Sequence, residues 1–408
     1  MRALLEESFR AAVAAADPLR ILAPQLPPPP KGRIFVAAAG KAAASMALAV
    51  EKYLSSEVEG IAITRYGHGL PTRKIRVVEA GHPVPDEAGH AAAQELLERV
   101  KKLEKDDLLL ALLSGGGSSL LSLPAPGVSL AELKSITAQL LKSGATIQEI
   151  NTVRKHLSAI AGGRLAAACR AQVIALIISD VTGDDPTHIA SGPCAPDPTT
   201  VEDAKAVLAK YGIEFRGPFS ETPKPGDVVF SKVKNHVIAT AHRSLEAAAD
   251  IFRKSGVQPV ILGDTITGEA AEVAKVMAAL VREIQGYQRP WKTPVALISG
   301  GECSVTVRSD GGRGGRCAEF LLSLAVELEG MGKVWAIAAD TDGIDGTEDN
   351  AGAIVSPDTL ERARRKGVDA KALLARHDSY GFFSVLGDLV VTGPTRTNVN
   401  DYRAILVA

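Results

Sequence analysis

The strongest constraint on the fold of this chain is a local pattern used six times: a short, wholly apolar run passes straight into a loop of small or polar residues. In the first half it appears as RIFVAAAGKAAASMA from Arg33, LLLALLSGGGSSLL from Leu108 and VIALIISDVTGDDP from Val173. In the second half HVIATAHRSLEAAA from His236, VALISGGECSVTV from Val295 and VWAIAADTDGIDGTEDN from Val334 follow. Runs this uniformly apolar read as buried strands, as in parallel sheets covered by helices. Open sheets of that kind bind ligands beyond the carboxyl ends of their strands, so the loops mark where chemistry would sit. The recurrence fits a duplicated unit, and equally two separate uses of a common pattern.

Helical patterning fills the intervals. Residues 86–105 and 129–143 are expected to be helices, the second with Ser129 as N-cap, and residues 201–210 form another. The stretch IQEINTVRKHLSAIAGGRLAAACR from Ile147 reads as helical with a break at Gly162-Gly163. Alternating strands and helices imply the α/β class, with two α/β domains and mainly parallel, Rossmann-like sheets. A chain of 408 residues is too long for one core. The concentration of Pro, Gly and Ser in GPFSETPKPGD, Gly217 to Asp227, is the natural boundary, giving domains of residues 1–225 and 226–408.

Composition narrows the class of partner. With 46 basic and 47 acidic residues the formal net charge is −1, so no basic stripe for nucleic acid and no polybasic membrane anchor is expected. Cys169, Cys194, Cys303 and Cys317 are scattered without CxxC spacing, which suggests neither a zinc site nor a disulfide framework. Glu6, Glu7 and Arg10 interrupt what would be the apolar core of a signal peptide, so the N-terminus reads as an amphipathic helix. No apolar run approaches the roughly 20 residues that span a bilayer. The expectation is a cytoplasmic protein acting on small molecules.

The loops carry the chemistry. Gly40-Lys41 sits on a strand-to-helix turn whose N–H groups favour an anion and whose lysine can neutralise a phosphate. The GxxxxGK[ST] spacing of a P-loop is not met, and a surface lysine beside a helix cap is the alternative. In Ser114-Gly115-Gly116-Gly117-Ser118-Ser119 three consecutive glycines let a carboxylate or phosphate approach the backbone. Asp180, Asp184 and Asp185 cluster at a strand's carboxyl end, as magnesium sites of phosphoryl-transfer enzymes do, although Asp-Gly pairs also build plain turns. Arg154 and Lys155 are a candidate second cationic clamp or a charged helix face.

In the second half, Gly300 and Gly301 echo the glycine loop and Glu302 adds a carboxylate. Ser309 to Arg316 joins Arg313 and Arg316 to four glycines, suited to wrapping a polyphosphate or to forming a solvated hairpin. Asp340, Asp342 and Asp345 alternate like a calcium loop but lack its terminal acidic residue, which makes them part of a site rim. Asp180, Asp184, Asp340 and Asp342 are the candidate metal ligands.

Together these motifs resemble the class II glycerate kinases, or glycerate 2-kinases, which carry a C-terminal MOFRL domain. The resemblance spans nearly the whole chain. It rests on AAGKA around Lys41, SGGGSSLL at Ser114, INTVRKHLSAIAGGRLA at Ile150, ISDVTGDDPTHIASGP at Ile178, ISGGE at Ile298, GGRGGR before Cys317, DTDGIDG at Asp340 and TGPTRTNVND at Thr392. It implies transfer of the ATP γ-phosphoryl group to the 2-hydroxyl of D-glycerate with Mg²⁺, in a cleft between two α/β domains. By position it implies Lys41, Asp180, Glu302 and Arg316 as catalytic residues, and it leaves a homodimer open. Two departures stand out: Cys317-Ala318 where the family commonly has Asn-Gln, and Arg396 where it usually has glycine. A nicotinamide-dependent hydroxypyruvate reductase is the first alternative, but no GxGxxG lies between a strand and a helix. A non-catalytic sugar-phosphate binder is the second, and would not need the carboxylates at 180–185 and 340–345.

Overall fold

The apolar runs of the first half come together as one sheet because each can bury both faces only between helices. The structure, a computed structural model, describes residues 1–307 and 312–408. Strands β1 (Ile34–Ala39), β2 (Val58–Arg65), β3 (Ile75–Ala80), β4 (Leu108–Leu113), β5 (Gln172–Ile178) and β6 (Val233–Ala239) pair in the order β3-β2-β1-β4-β5-β6. Every pairing is parallel. All residues of β1 and β4 are buried. Strand order reverses between those two, so the loops that follow them diverge and leave a crevice at the switch point.

The helices lie where the sequence puts them, with the ends set by caps. Helix Leu130–Lys142 starts at Ser129 in a capping box with Glu132, and Thr146 with Glu149 starts Ile147–His156 in the same way. The helical stretch from Ile147 is broken as expected: Gly163, at φ +82°, stands at the head of Arg164–Ala168.

The chain divides into two compact units, residues 17–239 and residues 1–16 with 240–408. This differs from a division at 1–225 and 226–408 at both ends. β6 completes the first sheet, so the crossing follows Ala239 rather than falling in the Gly217–Asp227 stretch. The first helix, Arg2–Ala14, buries Leu5, Phe9 and Ala12 in the core of the second unit, and the Tyr402 hydroxyl donates to Ser8 Oγ at 2.8 Å. An amphipathic helix carries no label for the sheet it will cover, which is why its destination is not legible locally.

The second unit contains β7 (Gln258–Gly263), β8 (Gly268–Glu269), β9 (Val295–Ser299), β10 (Cys303–Ser304), β11 (Val334–Asp340), β12 (Gly352–Val355), β13 (Leu389–Val390) and β14 (Asp401–Val407). Its main sheet runs β13-β12-β11-β14-β9-β7. Here the expectation of a mainly parallel sheet is corrected: only β7 with β9 is parallel, while β14 enters between β11 and β9 antiparallel to both. A last strand returning into the middle of a sheet reverses the direction of pairing on both sides, whatever its apolar pattern. Along β14 the side chains alternate: Tyr402, Ala404 and Leu406 join one core, Ile405 and Val407 the other. Among the described residues no helix is long and apolar enough to cross a membrane.

Candidate active site

In the first unit the loops after β1 and β4 are stitched together. Lys41 N–H donates to the Gly115 carbonyl at 2.8 Å, and Ala42 N–H donates to the Ser114 hydroxyl at 3.0 Å. Gly40 turns at φ +127°, and a β-carbon there would run into the Ser114 hydroxyl and carbonyl, so glycine is a steric requirement. Gly116, at φ +80°, is equally constrained: a β-carbon would stand 2.9 Å from the imidazole of His82 and 3.4 Å from Lys41 Cγ. The Ser118 carbonyl accepts from Arg154 Nη2 at 2.7 Å, and the Ser118 hydroxyl accepts from Ser191 at 2.8 Å. Gly40, Lys41, Ser114, Gly115, Gly116, Gly117, Ser118 and Arg154 are thus one assembly at the switch point.

That assembly is cationic. Burial first, and then the charges of Lys41, Arg65, His68 and Arg154, pull His82 down to about 3, so its imidazole is neutral at physiological pH. Burial lowers Arg154 to about 10, which still leaves it protonated. Lys155 is not part of the assembly. Its side chain is 2% exposed and its ammonium lies 3.3 Å from Asp197 Oδ1, in a buried ion pair. The tandem Arg154-Lys155 therefore splits: Arg154 turns to the glycine loop, and Lys155 turns to the interior.

Asp180 and Asp184 lie on the loop after β5, both half-buried, and Asp184 takes φ +54°. Neighbouring Asp185 is exposed and accepts from Thr187 N–H at 2.9 Å. Among the described residues no three His, Cys, Asp or Glu side chains gather as a metal cage. Asp180 and Asp184 are two half-buried carboxylates on one loop, the number of protein ligands that Mg²⁺, completing its octahedron with water and phosphate, commonly takes.

In the second unit Gly300, Gly301 and Glu302 follow β9, as the motif predicts. Arg316 is the first residue of helix Arg316–Leu328. Its guanidinium is enclosed by carboxylates: Nη2 to Asp340 Oδ2 at 2.7 Å, Nε to Asp401 Oδ1 at 2.8 Å and Nη1 to Glu302 Oε1 at 3.1 Å. Asp340 and Asp401 are buried, whereas the Glu302 side chain is 54% exposed. Asp340 Oδ1 also accepts from Asp342 N–H, and Asp342 Oδ1 accepts from Ile344 N–H, so these two candidate metal ligands hold the turn and the arginine. Asp345 accepts from Cys317 and Ala318 N–H at 3.0 and 2.8 Å, and burial pushes it up to about 7. Arg313 is exposed, with its guanidinium 4.9 Å from the centroid of the Tyr380 ring. Ser309, Asp310 and Gly311 of the same motif lie outside the described residues.

Several residues of these assemblies escape a reading of the sequence. His82 follows β3 at the position corresponding to Lys41 after β1, but β3 reads IRVVEA, and its Arg76 and Glu79 break the apolar signal. Arg403 lies within β14, 2% exposed, where it donates to the Gly300 and Ile266 carbonyls and stacks on Phe320. Neither Arg403 nor Asp401 belongs to a glycine loop. Arg396, where the family usually has glycine, takes φ +61°, the left-handed conformation that glycine adopts more cheaply.

Residues 4–220 match a domain of unknown function, DUF4147, and residues 295–401 match the MOFRL family. A protein of Agrobacterium vitis provisionally named a hydroxypyruvate reductase is 50% identical, covering 100% of this chain and 94% of its own length. A glycerate 2-kinase of Pyrococcus horikoshii is 43% identical, covering 92% of this chain and 88% of its own. The crystal structure of a glycerate kinase from Thermotoga maritima superposes with a TM-score of 0.88 at 40% identity, covering 100% of this chain and 99% of that one. With both domain matches in chain order and relatives aligned over nearly its full length, the chain belongs to the glycerate kinase family that joins a DUF4147 domain to a MOFRL domain.

Proposed function

We propose that the protein is a glycerate 2-kinase, transferring the γ-phosphoryl group of ATP to the 2-hydroxyl of D-glycerate. The observation that carries this reading is the joined pair of loops at the switch point. Lys41 and the backbone of Gly115 to Gly117 meet there, with Arg154 bonded to the Ser118 carbonyl beside them, which supports a setting for carboxylate or phosphoryl oxygens. Phosphoryl transfer needs little covalent chemistry from the protein. It needs the acceptor hydroxyl in line and the equatorial charge neutralised.

Lys41 meets developing charge on the transferred group, and the glycine loop cradles the anionic end of the acceptor. Asp180 would accept the hydroxyl proton or, with Asp184, would hold Mg²⁺. When bound, Mg²⁺ neutralises phosphate oxygens and orients the nucleotide. In the second unit Arg316 is anchored by Asp340 and Asp401 and offers its Nη1 edge, where exposed Glu302 can be displaced by a phosphoryl oxygen.

The name of the Agrobacterium relative favours a second reading, hydroxypyruvate reduction. Against it, Ala42 and Ser45 stand where GxGxxG after β1 would need glycines. The test is incubation of purified protein with ATP, Mg²⁺ and D-glycerate, resolving products by phosphorus NMR. 2-Phosphoglycerate is expected, and Lys41→Met should lower kcat/KM by about 10²–10³. 3-Phosphoglycerate would overturn the regiochemistry. Hydroxypyruvate-dependent NAD(P)H oxidation without phosphoryl transfer would overturn the kinase.

A further inference from the structure

We propose that His82 is the residue that recognises the acceptor: with Lys41 and the Gly116 backbone it walls the crevice at the switch point and hydrogen-bonds the hydroxyl that is not phosphorylated. This rests on the glycerate kinase reading, which supplies the acceptor. The placement is built, not incidental. His82 leaves β3, two strands away from β1 in the sheet, yet the turn beyond β3 brings its ring to the space that a side chain on Gly116 would take. That approach requires residue 116 to lack a side chain, and its left-handed backbone favours the same residue type. Lys41 Cγ lies 3.4 Å from the same β-carbon position, so the ring and the lysine stem are neighbours over one glycine.

The charge around the ring determines what it can do. Burial first, and then Lys41, Arg65, His68 and Arg154, act on it to disfavour protonation. A neutral imidazole among cations offers one N–H donor and one acceptor nitrogen, which suits a hydroxyl. A cation can donate to a hydroxyl oxygen but cannot accept from its O–H, whereas the imidazole can do either. So weak a base is a poor acceptor for the proton of the reacting hydroxyl, which leaves the other hydroxyl to His82. A group built to pair with a hydroxyl discriminates strongly against analogues lacking it.

D-Lactate is glycerate without the 3-hydroxyl, so it isolates this contact. Kinetics are measured with D-glycerate, D-lactate and ATP for the wild type, His82→Ala and His82→Asn, with unfolding midpoints as the fold control. His82→Ala should raise KM for D-glycerate about tenfold or more and shrink the preference for glycerate over lactate by a similar factor. KM for ATP should stay within about twofold. Asn, which keeps a donor and an acceptor, should restore part of the preference, and it carries the test if the Ala variant does not fold. An unchanged preference, or a rise in KM for ATP instead, overturns the proposal. A wild type without turnover refutes the kinase reading separately. Calorimetric binding of D-glycerate then decides His82: equal affinity in wild type and variants, or no uptake by the wild type, overturns its role.

Discussion

Removing Arg316 should damage the fold of the second unit as well as turnover, and the size of the damage follows from its surroundings. The guanidinium lies 2.7 Å from Asp340 and 2.8 Å from Asp401, whose side chains are 3% and 1% exposed. In Arg316→Ala both carboxylates stay in the interior without that cation. Removing one partner of a buried pair costs about 3–5 kcal/mol, most of it the stranded charge. For a unit of 150–250 residues each kcal/mol moves the melting temperature by about 2–4 °C, so a fall of roughly 6–20 °C is expected. The assay is calorimetric and urea unfolding of the wild type, Arg316→Ala, Asp340→Asn and the double variant. If stranded charge is the cause, Asp340→Asn should rescue part of the loss in the Arg316→Ala background while destabilising the wild type. The loss should also shrink as pH falls. Burial already raises Asp401 against the pull of Arg316, and without the arginine it would protonate more readily. An Arg316→Ala protein within about 1 kcal/mol of the wild type at neutral pH, with no rescue by Asp340→Asn, would refute the reasoning.

Two further predictions test the backbone and the buried charge. Gly40→Ala should destabilise the first unit by about 2 kcal/mol or more and raise KM for the anionic acceptor, because the new methyl meets Ser114 and φ stays near +127°; urea unfolding and steady-state kinetics check both. Asp345, pushed up to about 7 from 3.8, holds its proton more tightly folded than unfolded. Its contribution is complete below pH 4 and is lost as pH rises through 7, at up to about 1.4 kcal/mol per pH unit. Asp345→Asn should therefore gain on the wild type between pH 4 and 8 in a melting series, and parallel curves would contradict this.

How much could be read in advance depends on the range of the interaction. The glycine loops at Gly40, Gly116 and Gly301 were legible because a close approach or a positive φ demands glycine at the spot itself, and the spot is adjacent to an apolar strand in sequence. Ser129 announced its helix for the same local reason. The partner of a charge is another matter. Arg154 and Lys155 are consecutive on one helix, 100° apart around its axis, so they face different neighbours, and only the fold shows that one meets Ser118 and the other Asp197. Arg316 reads as a phosphate ligand because four glycines lie in the five residues before it, while its anchors Asp340 and Asp401 are 24 and 85 residues away. His82 was hidden by a strand whose solvent-facing residues dilute the apolar pattern.

The two units handle charge in opposite ways, and this limits what each can contribute to binding a polyanion. Around the first switch point burial, and after it the charges of Lys41, Arg65, His68 and Arg154, act most strongly on His82. Phosphate or carboxylate oxygens arriving there meet cationic side chains together with backbone N–H groups. Around Arg316 the balance is reversed. Arg316 and Arg403 face Asp340, Asp401 and Glu302, and Asp345 adds a fourth carboxyl group, which burial pushes up to about 7. The cluster is at best neutral, so it cannot attract an anion until one carboxylate withdraws. Glu302 is the group placed to do so, being exposed and on the longest of the three contacts to Arg316. Taken by itself, the first unit presents cationic groups to an anion, whereas in the second the availability of Arg316 depends on whether Glu302 stays or leaves.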